Sequence, residues 1–515
     1  ILVRYLGQVT VARIRLPQQQ PTTRPPVNNA IDKLAWDRLQ TLGLQASTTT
    51  TDAQFLRRVS LDTIGTLPTP TETRAFLADK SAAKRTALIT RLLQRKEYAQ
   101  YWAMKWADIL RVDKEIIKPV GTIAMTRWLT DQFSNNVPYD QFVREIVTAQ
   151  GNTLSESPAA FYLVHNNPEK LVRSVSQVFL GVRIECAQCH HHPFEKWSQA
   201  DYAAFGGFFT GISQKGSTGG GTKIFDKGGE DQKHPRTGET VPTAGLGGAP
   251  LEGEALGHRR KALADWMTAA QNPFLARMIA NRLWAHYLGR GLVEPIDDMR
   301  ITNPATNEPL LELLAERLVS SGYDIKDLTQ FILSSRTYQL SAEANDSNNR
   351  DNQNFSHASW KAVPAEVLLD AISQVTGIAE QFNGWPDGYR AIEIWDNRMP
   401  SYFFRIFGKP QRVSVCECER GNEPSIVQAL YLMNSTETMA KISHRHGRAI
   451  ELAHSTLSDD KIIEELYLAA LSRFPRDEEL ELMRTSFDAK GIPRRTAVED
   501  IMWALLNTRE FVLNH

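Results

Sequence analysis

The sequence predicts a mainly α-helical protein. Two helical domains are joined by a long glycine-rich loop region, behind a short N-terminal strand left from an upstream β-domain. Three observations predict this. Over residues 30–210 and 258–515 apolar residues recur at helical spacing, with capping residues at the breaks. Residues 211–257 lose that period and carry glycine runs at 216–221 and 245–248, which reads as a loop or a small β excursion between the domains. At the N-terminus Ala12, Ile14 and Leu16 alternate with Arg13 and Arg15, the period of a half-buried strand, before a proline-rich linker that runs to residue 29.

The elements follow in order. Ile31, Leu34, Ala35 and Leu39 keep a helix period that Gly43 closes. Thr51 offers a cap for a helix over 55–59, and the run from Leu61 to Pro70 reads as a turn-rich break. Thr69 with Pro70 opens the next helix, and 81–93 is another. Residues 97–110 place Tyr98, Tyr101, Trp102, Trp106 and Ile109 at helical spacing, an aromatic core face or the wall of a cofactor pocket. Helices over 124–133 and 139–149 flank the Asn135-Asn136-Val137-Pro138 turn. Asn167 and Pro168 start a helix that Gly181 stops, and a short aromatic segment covers 201–209.

Beyond the glycine-rich region helical pattern resumes at Arg259, restarts at Asn272-Pro273 and ends at Gly289. Helices are predicted over 310–318, 325–333, 364–376, 425–433, 441–452, 461–471, 478–487 and 497–506. Residues 341–356 are polar and read as an exposed linker, and 385–418 is a mixed aromatic stretch with strands at its end. No internal repeat is present.

Composition narrows the function. Lysine plus arginine and aspartate plus glutamate are 59 each, which argues against a nucleic-acid binder. No apolar run reaches the roughly 20 residues of a membrane span. Four cysteines in 515 residues do not build a disulfide scaffold, and they come as two close pairs.

The first pair is the most specific signal in the chain. Cys186-Ala187-Gln188-Cys189-His190 is the C-x-x-C-H attachment signature of c-type haem. Two thiols at this spacing bond the vinyl groups of one haem, and His190 is the expected axial ligand to iron. His191 and His192 follow as further candidate ligands or as neighbouring groups. The rival readings are a zinc or iron site without haem, a four-cysteine site shared with the second pair, and a disulfide or free thiols. Cys416 and Cys418, the second pair, read either as a redox or metal pair or as a local disulfide or buried thiols.

Other motifs are weaker. Asp297-Asp298-Met299-Arg300 offers two carboxylates for acid/base work or a cation, and equally a hydrogen-bonded network at a helix end. Residues 216–223 lack the glycine-lysine-hydroxyl order of a phosphate loop. There is no G-x-S-x-G and no H-E-x-x-H.

Several separated stretches together carry a family resemblance. Phe55-Leu56-Arg57-Arg58 through LDTIGTLPTP (61–70), YWAMKWADIL (101–110) and LGVRIE (180–185) leading into CAQCHHHPFEKW resemble the planctomycete-type cytochrome domain of unknown function. Asn272-Pro273-Phe274, NRLWAH (281–286), GRGLVEPIDDMR (289–300), SRTYQL (335–340) and CECERGNEPSIVQAL (416–430) resemble the domain of unknown function that usually follows it. The resemblance implies a secreted or surface-associated protein, often with β-sandwich or cytochrome modules upstream, and supplies no catalytic residues.

The expectation is therefore an extracytoplasmic c-type haem protein that exchanges electrons with a redox partner protein. The alternatives are a haem-free structural or binding protein of the surface, with a Cys/His metal site or disulfides, and an enzyme on extracellular polymer using residues 206–255 and 297–300.

Overall fold

The computed structural model describes residues 2–5, 8–12, 14, 16, 17, 23–414, 419–421, 425–488 and 491–515. It is mainly helical, with twenty-three α-helices among the described residues. Strands β1 (Leu2–Tyr5) and β2 (Gln8–Val11) form an antiparallel hairpin, Leu2 opposite Val11. The strand thus lies ahead of the residues predicted for it. Ile14 and Leu16 are 72% and 88% exposed, because alternation marks a buried face only where something covers it.

Helices α1 (Ala30–Leu42), α2 (Asp52–Ile64) and α3 (Pro70–Ala78) open with side-chain caps from Asn29, Thr51 and Thr69. The predicted break at Leu61 comes four residues later, at Gly65, because Leu61 and Ile64 continue the buried face of α2. Next come α4 (Lys84–Leu93), α5 (Lys96–Ile109) and α6 (Lys114–Ser134), the last kinked where Lys118 precedes Pro119. Helix α7 (Tyr139–Thr148), strand β3 (Gly151–Asn152) and helices α8 (Phe161–Val164), α9 (Pro168–Leu180) and α10 (Gln199–Gly206) follow.

The glycine-rich region is a small β excursion. Strands β4 (Ile212–Gly216) and β5 (Thr222–Asp226) form a three-stranded antiparallel sheet with β3, in the order β3-β5-β4. Strands β6 (Gln232–Lys233) and β7 (Thr240–Val241) form a second pair.

The rest is again helical: α11 (Arg259–Thr268), α12 (Leu275–Leu288), α13 (Glu308–Ser320) and α14 (Ile325–Ser334). Residues 341–356 are exposed only in part, with Ser341, Ser347, Asn348 and Ser356 buried. Asn348 is fully buried and its amide donates to Gln45 O at 3.0 Å, Ser47 Oγ at 3.1 Å and Ser356 O at 3.2 Å. Polar residues go inside when the backbone beside them supplies hydrogen-bond partners. Strand β8 (Lys361–Ala362) leads to α15 (Ala365–Thr376), α16 (Tyr402–Ile406) and α17 (Ile426–Asn434). The helix predicted over 441–452 is two, α18 (Thr436–Ile442) and α19 (Arg448–His454), parted by a turn at His444–Gly447. Helices α20 (Asp459–Leu471), α21 (Asp477–Asp488), α22 (Arg494–Leu506) and α23 (Arg509–Val512) precede β9 (Leu513–Asn514), which pairs with β8.

Two large hydrophobic cores hold these elements. The first draws on residues from Ile31 to Tyr338, on both sides of the glycine-rich region. The second combines Leu61, Leu67, Tyr101 and Met104 with residues from Val363 to Phe511. Helix α5 serves both. Tyr98, Trp102 and Trp106 enter the first core, Tyr101 and Met104 the second. The aromatic face predicted for this segment packs into both cores, where Trp106 meets Phe142 edge-on at 5.0 Å, and its Tyr101, Trp102 and Ile109 also border a cavity between them. Helix α2 ties the cores with buried arginines. Arg57 donates to Ala470 O at 2.8 Å and Phe511 O at 2.9 Å, and Arg58 to Tyr338 O at 2.6 Å and Leu340 O at 2.9 Å. Burial pulls the Arg57 guanidinium down to about 10.

Gly65 ends α2 with φ of 57°, and a Cβ there would lie 2.8 Å from the Tyr101 ring and 3.1 Å from Val367. Gly65→Ala is expected to destabilise the fold by about 2 kcal/mol, from left-handed backbone strain plus overpacking. A lowered urea midpoint with an unchanged m-value checks it.

Candidate functional site

The C-x-x-C-H turn hangs from the end of α9. That helix is held at its start by Asn167, whose side chain accepts the Lys170 N–H, and at its end by left-handed Gly181. After Ile184 the chain makes a 3-10 turn over Glu185–Gln188, and the Cys189 N–H donates to Cys186 O. Residues three apart eclipse in such a turn, so the two thiols stand on one side. Cys186 and Cys189 are both exposed and free.

His190 is also exposed, and its Nδ1 lies 2.7 Å from His191 O. A carbonyl only accepts, so Nδ1 carries the proton and the Nε2 lone pair is left open. His191 is exposed, whereas His192 is 5% exposed and closes the loop. The His192 N–H donates to Trp197 O at 2.9 Å, and its Nδ1 accepts from the Phe194 N–H at 3.2 Å. The three adjacent histidines thus have different surroundings. Around them Arg173 pairs with Glu185, and the Gln199 amide donates to Cys189 O at 2.9 Å. Among the described residues no three His, Cys, Asp or Glu side chains gather as a metal cage. Covalent haem would need no such cage, because the porphyrin nitrogens carry the iron, the thiols would attach the porphyrin and an imidazole would add an axial ligand. The turn presents two free, exposed thiols three residues apart and an imidazole whose Nδ1 is tied to a carbonyl. Cys416 and Cys418 lie outside the described residues.

The acids of 297–300 are held apart. Asp297 accepts from Arg183 and, at 2.6 Å, from Gln177, while Asp298 pairs with Arg300 at 3.1 Å. Glu195 is buried, accepts the Ile301 N–H, and is raised by burial above the usual carboxylate range. Asp298 and Arg300 line a small hollow with His192 and Glu195, and Asp297 lines a larger one. Neither of these two hollows is lined by residues 206–255.

The larger hollow was not anticipated. It is a cavity of about 520 Å3 between the two cores, walled by α5, by α12 with the segment that follows it, and by residues 360–367. Asp62 anchors its floor. Its carboxylate accepts from Lys361 Nζ at 2.6 Å, Asn514 Nδ2 at 2.8 Å and Tyr338 OH at 2.9 Å, and its carbonyl accepts from His286 Nε2 at 2.7 Å. Burial, then the nearby Lys105 and Lys361 ammonium groups, hold the His286 imidazole well below its ordinary value, so it is neutral. On the other wall Arg420 bridges Asp108 at 2.6 Å and Glu366 at 2.7 Å. Burial alone would raise Glu366, but the Arg420 guanidinium outweighs it and holds the carboxyl below the usual carboxylate range. The stretches LDTIG, WADIL, LGVR, NRLWAH, GRGLVEPID and ERG each send a side chain to this cavity. The only sequence signal for it was ionisable residues on otherwise buried helix faces.

Residues 30–214 match the PSCyt2 model, a protein of unknown function (DUF1549). Residues 259–487 match the PSD1 model, a protein of unknown function (DUF1553). The chain carries these two domains of unknown function in tandem. No curated protein and no solved structure matches it. The C-x-x-C-H turn lies within the PSCyt2 match, and the cavity is walled by both regions, Asp62 and Trp102 from PSCyt2, His286 and Arg420 from PSD1. Among the described residues no helix is long and apolar enough to cross a membrane.

Two outcomes follow from these surroundings. Asp62→Ala is expected to cost about 3–5 kcal/mol in chemical unfolding, since it strands a buried lysine. In protein made without haem maturation, Cys186→Ser with Cys189→Ser is expected to remove two fast-reacting thiols, counted with a chromogenic disulfide reagent.

Proposed function

We propose that this protein is an extracytoplasmic c-type haem protein that exchanges electrons with a partner protein. The observation that carries the reading is the state of the 186–190 turn: two free, exposed thiols one turn apart beside a histidine whose Nδ1 is tied to a carbonyl. A backbone bond at one imidazole nitrogen is the usual device that fixes the other as a metal ligand.

Cys186 and Cys189 would each add S–H across a vinyl group, with no net oxidation, and His190 would meet iron through Nε2. The bound haem supplies a one-electron couple. The chain's own residues set the turn. Gln199 holds Cys189 O, Arg173 pairs with Glu185, and left-handed Gly181 aims the segment away from α9. Because both thiols lie at the surface, attachment needs no opening of the core. Placement outside the cytoplasm follows from the reading, since this attachment is made there.

Expression in a host competent for haem maturation, then a haem stain on denatured protein, tests it. Wild type is expected to retain haem, Cys186→Ser with Cys189→Ser to lose it, and His190→Ala to keep the covalent link while losing the histidine-ligated absorption spectrum. Wild-type protein without covalent haem overturns the reading.

A further inference from the structure

The cavity between the PSCyt2 and PSD1 regions contains polar groups that the fold leaves unused. Its acids are mostly taken: Asp62 by Lys361 at 2.6 Å, Asp108 by Arg412 at 2.9 Å and Arg420 at 2.6 Å, and Asp297 by Arg183. The two remaining acids accept backbone N–H groups, Glu294 from Gly291 at 2.9 Å and Glu419 from Val413 at 3.2 Å and Ser414 at 3.1 Å. Arg290 is different. It lines the cavity and makes no side-chain hydrogen bond or ion pair among the described residues, and its Nε is buried without a partner. Arg290 is half-buried, so its guanidinium is only partly withdrawn from water; the buried, unpaired Nε is costly, and an anion on the guanidinium offsets that cost.

His286 stands four residues earlier, across left-handed Gly289, and lines the same cavity. Donation from Nε2 to Asp62 O leaves Nδ1 unprotonated, and Nδ1 has no partner among the described residues. Its lone pair attracts a hydroxyl hydrogen and repels a bare anion. Tyr101, Trp102 and Trp360 add ring surface for carbon-bound hydrogens. A volume of about 520 Å3 holds one small molecule, within the span of roughly 300–1,000 Å3 typical of such sites.

We infer that this cavity binds a small hydroxylated carboxylate, with the carboxylate on Arg290 and a hydroxyl on His286 Nδ1. The site stands apart from the haem reading, because neither residue belongs to the C-x-x-C-H turn.

The test is titration calorimetry on the full chain with D-glucuronate, using glucose and acetate as probes that lack the carboxylate or the hydroxyls. Saturable binding of glucuronate is expected at millimolar concentration, with glucose and acetate each weaker by about tenfold or more. Arg290→Gln is expected to cost the same factor and Arg290→Lys to restore part of it. His286→Gln is expected to weaken glucuronate as well. Because His286 packs among rings, Arg290→Gln decides the matter if His286→Gln fails to fold. Absence of saturable glucuronate binding, equal binding of glucose, or an Arg290→Gln protein that binds as wild type overturns the inference. Repeating the titration on the Cys186→Ser, Cys189→Ser protein keeps it separate from haem: unchanged binding there is expected even if no haem is ever attached.

Discussion

A buried carboxylate sets the terms for the middle of this protein. Asp62 sits where two hydrophobic cores meet and is 5% exposed. Its donors come from Lys361, Tyr338 and Asn514, while its carbonyl holds His286. These residues lie 224 to 452 positions away along the chain. An apolar replacement of such a pair is often neutral for stability. What the charge enforces is geometry, because a displaced segment would leave a buried ion without its partner. Four distant segments are thereby held in register around one cavity.

The sequence was most legible where the chemistry is local. Helix starts at Asn29, Thr51, Thr69 and Asn167, and the left-handed stops at Gly43 and Gly181, depend on neighbours a few residues away. The C-x-x-C-H turn is local in the same sense, and its thiols stand as free surface groups. What sequence could not show was the partner of each long-range contact. Residues 341–356 look solvent-loving, yet Asn348 is wholly buried because Gln45, Ser47 and Ser356 satisfy it. Ile14 and Leu16 alternate like a covered strand and are bare. The cavity was invisible for the same reason, since its walls are assembled from pieces of both regions.

The turn and the cavity are neighbours through one side chain. Arg183, three residues ahead of Cys186, lines the cavity, pairs with Asp297, and also lines the small hollow that holds His192 and Glu195. Asp298, the next residue after Asp297, reaches into that small hollow instead, where it pairs with Arg300. The two adjacent acids thus hold different partners, Asp297 the Arg183 that leads into the cysteines and Asp298 the Arg300 beyond it.

Helix α5 presents rings to both cores at once, Trp102 and Trp106 on one side, Tyr101 and Met104 on the other. Such a helix keeps only a narrow polar stripe, Lys96, Glu97, Gln100, Lys105 and Asp108, outside the two cores. A gene fragment ending after the PSCyt2 match would therefore yield a product with an aromatic wound along its flank, prone to clumping. The two regions are better regarded as one cooperative unit than as modules to be shuffled, and any attempt to dissect them should leave the shared helix clothed on both sides.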